Sequence, residues 1–159
     1  MTACAPDSKD KGRLPRARSA ARLAAVQALF QWDRSGDRPE QIVRQFIHQR
    51  LGEEIDGFKP APADEAFFSD IVAGVAARRD DLDARIAAHL AENWTLARID
   101  PLLLAILRAG TYELVARPDV PTATVINEYL DVVHAFYEGV EAKFVNAVLD
   151  RIARAAARA

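Results

Sequence analysis

Residues 98 to 136 read RIDPLLLAILRAGTYELVARPDVPTATVINEYLDVVHAF, and the first half of this stretch decides the fold class. Asp100-Pro101 is a cap followed by proline at the first helical position, where its missing N–H is not needed. Leu102 to Leu107 is then apolar on every side. A helix apolar all round is buried all round, so a central helix is expected here, running to about Val115. Arg108 and Glu113 lie inside it and are expected to be paired, because an isolated buried charge is costly. Pro118 and Pro121 punctuate the following loop. Val125, Ile126, Tyr129, Leu130, Val133 and Phe136 then recur at helical spacing, and Phe136 reads as core.

The rest of the chain follows the same period. Pro15 can open a first helix whose apolar side is Leu23, Val26, Leu29 and Phe30, with Ser35-Gly36-Asp37 as its stop. A second starts at Pro39 and carries Ile42, Val43, Phe46, Ile47 and Leu51. Residues 52 to 63 hold two glycines and two prolines and read as a loop. Asp64 is an N-cap for Phe67, Phe68, Ile71, Val72 and Val75. The charged run 78–81 marks a bend, after which Leu82, Ile86 and Leu90 continue to about Trp94. Gly139 separates the sixth helix from a seventh carrying Phe144, Val145, Val148, Leu149 and Ile152. The expectation is an all-α fold of about seven helices without a sheet. Residues 1–14 form a flexible basic arm, and 15–159 a single helical domain with subdomains of about 15–78 and 79–159.

Composition narrows the function. No apolar run is long enough for a membrane span, and the N-terminus lacks a signal-type apolar stretch, which reads as cytoplasmic. The single cysteine, Cys4, precludes an internal disulfide. His48, His89 and His134 sit on separate helices without ligand spacing, and the glycines are scattered singly. Catalytic and cofactor readings therefore start low.

Charge is distributed unevenly. Residues 1–22 hold six basic residues against two acidic ones, a net +4 in a chain of net −2, so the remainder carries −6. Arg13, Arg16, Arg18 and Arg22 crowd the start of the first helix. One reading is a solubilising terminus. Against it, cations are unfavourable at a helix N-terminus, and arginine outnumbers lysine from residue 13 on, which suits phosphate. Single-stranded RNA would also want aromatic side chains for stacking; Phe144, Tyr137 and Phe136 are the candidates, with Phe144 at core or rim.

Four strings, in order, sharpen the reading: AVQALFQW, ILRAGTYEL, VPTATVINEYL and KFVNAVLDRIA. Together they span most of residues 22 to 155 and resemble the NusB family of transcription antitermination factors. The resemblance implies seven helices in two perpendicular three-helix bundles and no catalytic activity or cofactor. It implies binding of the single-stranded boxA element of nascent ribosomal RNA together with NusE, a small-subunit ribosomal protein. It also implies assembly with RNA polymerase and other Nus factors.

By the same resemblance, the arginine-rich start (Arg13, Arg16, Arg18, Arg22) takes the phosphate-contact role, and Lys143 and Phe144 help form the RNA surface. Phe30 and Trp32 match the aromatic pair at the end of helix one, with Phe30 facing NusE. The start of the central helix belongs to the same partner side, giving Asp100 and Leu103. An acidic residue is expected within that helix, where this chain has Leu102-Leu103-Leu104. Four phosphate contacts would give a log–log salt slope near about −3, at about −0.7 per phosphate. An alternative is a NusB-like module of an RNA cytosine methyltransferase, which would need a following catalytic domain. A homodimer that covers the RNA surface is a further possibility.

Overall fold

The computed structural model describes residues 13–49 and 63–158. Residues 1–12 of the expected arm and nearly all of the 52–63 loop lie outside it. Seven α-helices and one short 3-10 turn occur among the described residues: α1 (Arg13–Ser35), α2 (Pro39–Gln49), α3 (Glu65–Ala77), α4 (Arg79–Ala88), α5 (Pro101–Ala116), α6 (Thr122–Phe136) and α7 (Glu141–Arg158), with the 3-10 turn at Leu96–Arg98 before α5. No strand occurs among these residues, so the all-α expectation and the helix count hold.

Several boundaries have the physical causes read from sequence. Gly36 ends α1 at φ 72, and its N–H donates to the Trp32 carbonyl at 3.3 Å, a turn that favours glycine. The Asp64 carboxylate caps α3 by accepting from the Phe67 N–H at 3.0 Å. The charged run does bend the chain: α3 stops at Ala77, Arg78 sits at φ −117 and ψ 17, and α4 starts at Arg79.

Three boundaries differ. Helix one begins at Arg13, two residues before Pro15, so residues 13 and 14 belong to the helix rather than to the arm. The fourth helix stops at Ala88, six residues short of Trp94. Its last carbonyls are taken by the next backbone N–H groups, His89 to Ile86 at 3.1 Å and Leu90 to Ala87 at 3.3 Å; beyond it Arg151 donates to the His89 carbonyl at 3.1 Å, and Arg98 to the Asn93 carbonyl at 2.9 Å. Asp100 occupies the N-cap of α5 but makes no side-chain cap bond; its carboxylate accepts instead from the Tyr137 hydroxyl.

The central helix is as expected. All eleven residues from Leu103 to Glu113 are buried. α5 touches α1, α3, α4, α6 and α7. Around it the helices form two mutually contacting triplets, α1–α3 and α5–α7, with α4 packed on α5, α3 and α7. Phe68, Ile71, Leu107 and Leu149 are among the fully enclosed side chains, each contributing about 1.5–3 kcal/mol of burial. α3 and α5 approach so closely that a Cβ on Gly74 would meet the Tyr112 ring at 2.2 Å.

The two charges within α5 are both paired, each to other helices. Arg108 donates to Asp83 on α4 at 2.8 and 2.9 Å and to Asp33 on α1 at 3.4 Å. Glu113 accepts from Arg22 on α1 and from Tyr129 on α6. Arg108 and Glu113 thus tie α5 to its neighbours at two levels.

Candidate nucleic-acid and partner interface

The arginines at the start of α1 separate into different environments. Arg16 is exposed. Arg18 lies over the Phe67 ring, 4.6 Å from its centroid, with Nε 3.8 Å from the Asp64 carboxylate and 36% of its side chain open to solvent. Arg22 projects from the same side of the helix, one turn on, but that side faces inward. It is 2% exposed and donates to Glu113 at 2.9 and 3.0 Å. Burial works against its charge, yet the hydrogen bond and charge of Glu113 outweigh it and raise the guanidinium's pKa. Sequence spacing showed that Arg18 and Arg22 share a face; it could not show that the Arg22 end of that face is covered. The side chain of Arg13 lies outside the described residues.

Phe144, in the first turn of α7, is half-buried at a rim, and Lys143 beside it is exposed. Its ring packs at 5.7 Å and 39° against Trp94, which is 47% exposed. These two rings and Tyr137, Val140 and Ile99 line a groove of about 560 Å³, edged by Arg98, Asp100 and Glu141. Leu103 also lines it, though itself buried. Burial and the nearby Asp100 carboxylate raise the Tyr137 pKa, so its hydroxyl remains a donor. Two residues first read as partner-facing, Asp100 and Leu103, therefore sit in one groove with Phe144. Trp94 and Val140 were not singled out from sequence. The signal for Trp94 is its place beyond the last apolar step of α4, in Asn93-Trp94-Thr95.

A second groove of about 620 Å³ adjoins the first across the start of α5. Phe30, Gln27, Gln31, Arg34, Leu102 and Phe136 are among its walls. Phe136, read from its spacing as core, is 40% exposed here. It is the last residue of α6 and faces this groove. The Arg34 guanidinium lies over Phe30 at 5.3 Å. Trp32 does not join Phe30: it lines a separate cleft at the α3–α4 junction, with Arg79 at 5.5 Å over its ring.

Distance separates the arginine start from both grooves. Arg22 meets α5 at Glu113, whereas the grooves flank Asp100 to Leu103. Thirteen residues of helix put Glu113 about 20 Å from Asp100 at the Phe144 groove; the Phe30 groove is nearer, since its wall Gln27 lies about 8 Å beyond Arg22 along α1. Among the described residues, no group of three or more His, Cys, Asp or Glu is placed to hold a metal ion. No helix among them is long and apolar enough to cross a membrane.

A family model described as "NusB family" matches residues 19–154. The chain belongs to the NusB family. It is 54% identical over 139 residues to a transcription antitermination protein NusB of Novosphingobium aromaticivorans, covering 87% of this chain and 94% of that one. It is 52% identical to the protein of the same name from Sphingopyxis alaskensis, with 86% and 92% covered. A solved T. maritima NusB structure matches at a TM-score of 0.70 and 28% identity, covering 86% of this chain and 90% of that chain. A structure of antitermination factors NusB and NusE with double-stranded RNA matches at 0.74, 24% identity and 88% and 98% coverage. The chain is thus a NusB-family transcription antitermination protein, and the family is one of factors that act by binding rather than by catalysis.

Proposed function

We propose that the chain works in antitermination as an adaptor that holds a boxA-type single-stranded RNA together with NusE and joins RNA polymerase with other Nus factors in the cytoplasm. The observation that carries this reading is the adjacency of the two grooves. The Trp94–Tyr137–Phe144 groove offers aromatic faces beside Lys143 and Arg98, the composition on which unpaired bases stack. The Phe30–Leu102–Phe136 groove is an apolar surface with a polar rim, the composition of a protein contact. A NusE seated on the second would border the RNA in the first. The known assembly of NusB and NusE with RNA on this fold supports partners of these two kinds.

The roles divide accordingly. Phe144 with Trp94 stacks bases; Lys143, Arg16 and Arg18, with Arg13 ahead of them, hold phosphates. Phe30 and Phe136 face NusE, with Asp100 and Leu103 at the border and Trp32 on a separate cleft. Arg22 anchors the helix that carries the other arginines. A strand reaching from the groove to Arg16, which lies about 9 Å beyond Arg22 on α1, covers up to about 29 Å, or about eight stacked nucleotides at about 3.4 Å each.

The test is assembly from purified components: labelled boxA RNA titrated with this protein in the presence and absence of NusE. Tighter RNA binding with NusE present, lost for Phe136→Ser, is the expected result. Failure to form a NusE pair even with RNA present removes the proposal.

A further inference from the structure

The first half of α1 is seated on the protein by small side chains. Ala21 and Ala25 are fully buried and Ala24 nearly so. Alanines allow close approach but interlock little, so they define the rotation of a helix about its axis only weakly. Two polar side chains are set into this smooth face. The Ser19 hydroxyl lies 2.8 and 2.9 Å from the Glu128 carboxylate oxygens. Arg22 donates to both Glu113 oxygens and lies 3.6 Å from Glu128, and the Tyr129 hydroxyl donates to the Glu113 oxygen that also accepts from Arg22 Nε. Arg22 and Glu113 are 2% and 0% exposed.

Stability alone does not account for this network. Removing both charges from water offsets much of their attraction, and apolar side chains of similar volume often serve as well. A bidentate arginine–carboxylate pair instead works at one geometry, which fixes one register of α1 against α5 and α6. Arg18 lies one turn before Arg22, and Arg16 six residues before it, about 9 Å along the helix. Any rotation of α1 at Arg22 is carried directly to them.

We propose that Arg22, Glu113, Tyr129, Glu128 and Ser19 are positioning residues for RNA: they lock the rotation of α1 and so aim Arg16 and Arg18. The inference rests on the reading that the start of α1 contacts RNA. It assigns to Arg22 an indirect part, through helix orientation.

The variant Arg22→Met/Glu113→Leu replaces the pair with apolar side chains and leaves the net charge unchanged. Binding of labelled boxA RNA, with purified NusE present, is measured over a salt series. RNA affinity should fall about five- to tenfold, the size of an ordinary coupling between sites. NusE pairing without RNA should stay within about twofold of wild type, as for independent sites. Amide exchange over residues 17–22 should accelerate. A folded variant with unchanged RNA affinity, or one that loses NusE and RNA binding equally, overturns the proposal. Should that variant not fold, Ser19→Ala/Tyr129→Phe decides: it removes two hydroxyls and no charge, and unchanged RNA affinity likewise overturns the positioning role. Arg16→Ala/Arg18→Ala separates the two layers. If it binds RNA as wild type does, the arm reading itself fails; if it loses binding while the network variants do not, only the positioning role fails.

Discussion

Truncating Phe144 should weaken RNA binding without changing its salt dependence. Stacking a base on an aromatic side chain is worth about 1–3 kcal/mol by alanine substitution. Phe144 is half-buried, and Trp94 already packs against it at 5.7 Å, so one face of the ring is taken. The remaining face sets the expectation in the lower half of that range, about 1.5 kcal/mol, or about tenfold in affinity for Phe144→Ala. No charge is removed, so the number of phosphates neutralised is unchanged and the log–log slope should match wild type. Arg16→Ala is the complement. Arg16 is exposed, and each single-strand phosphate contact contributes about −0.7 to the slope, so this variant should bind more weakly with a slope shallower by about that amount. Fluorescence anisotropy of labelled boxA RNA with NusE present, over a salt series, reads both quantities. A thermal scan accompanies it, because Phe144 also contributes packing. Unchanged affinity for a folded Phe144→Ala, or a shift in slope as large as that of Arg16→Ala, would refute the stacking assignment.

Three further outcomes are expected. Gly74→Ala places a methyl group where the Tyr112 ring lies, and that ring is also held by the Tyr112–Asp70 hydrogen bond of 2.8 Å; a loss of about 1–3 kcal/mol in denaturant unfolding is expected, and a neutral result would show that α3 and α5 separate readily. Asp64→Ala removes the α3 cap and should cost about 1 kcal/mol in the same assay, with no change in the central helix by hydrogen exchange. Phe136→Ser should weaken pairing with NusE while leaving the thermal midpoint nearly unchanged, since the ring is 40% exposed; calorimetric titration with NusE checks it, and undiminished affinity would move the partner surface elsewhere.

The helices were legible because their cause is local. Proline at the start of α2 and α5, the Asp64 cap, the Gly36 stop and the apolar period act within a few residues of one another. The centrality of α5 was legible too from its apolar run, of which Leu103 to Leu107 are buried while Leu102, at the open end, lines a groove. What was not legible depends on contacts between distant segments. Arg18 and Arg22 share a helix face by spacing, but their different exposure follows from Glu113 and Glu128, about a hundred residues later. Phe136 fits the apolar period of α6, yet lines an open groove with Phe30 and Leu102, which lie on other helices. Asp100 reads as a cap from its neighbour Pro101, and only the fold brings Tyr137 to its carboxylate.

The same contacts change what the acidic body does. A net −6 beyond residue 22 reads from sequence as a field that confines RNA to the basic start. Much of that acidity is engaged internally: Asp33 and Asp83 hold Arg108, Glu113 and Glu128 hold Arg22, and Asp70 and Asp119 hold Arg117. Each arginine faces two carboxylates, so each cluster keeps a net −1, and its field is largely screened beyond a Debye length of about 8 Å. If RNA lies in the groove as proposed, the carboxylates placed to act on it are those at the groove itself, Asp100 and Glu141, which edge the aromatic rings. They repel phosphate while leaving bases free to stack, and so favour a strand that enters base-first with its backbone turned toward Lys143 and Arg98. Neutralising Glu141 as Glu141→Gln should therefore tighten RNA binding, mostly in its non-specific part, because the change acts on phosphate and not on base stacking. Affinities for boxA and for a scrambled strand of equal length, compared in both proteins, read this as a narrowed ratio. A ratio that widens instead would place the phosphates on the other side of the groove.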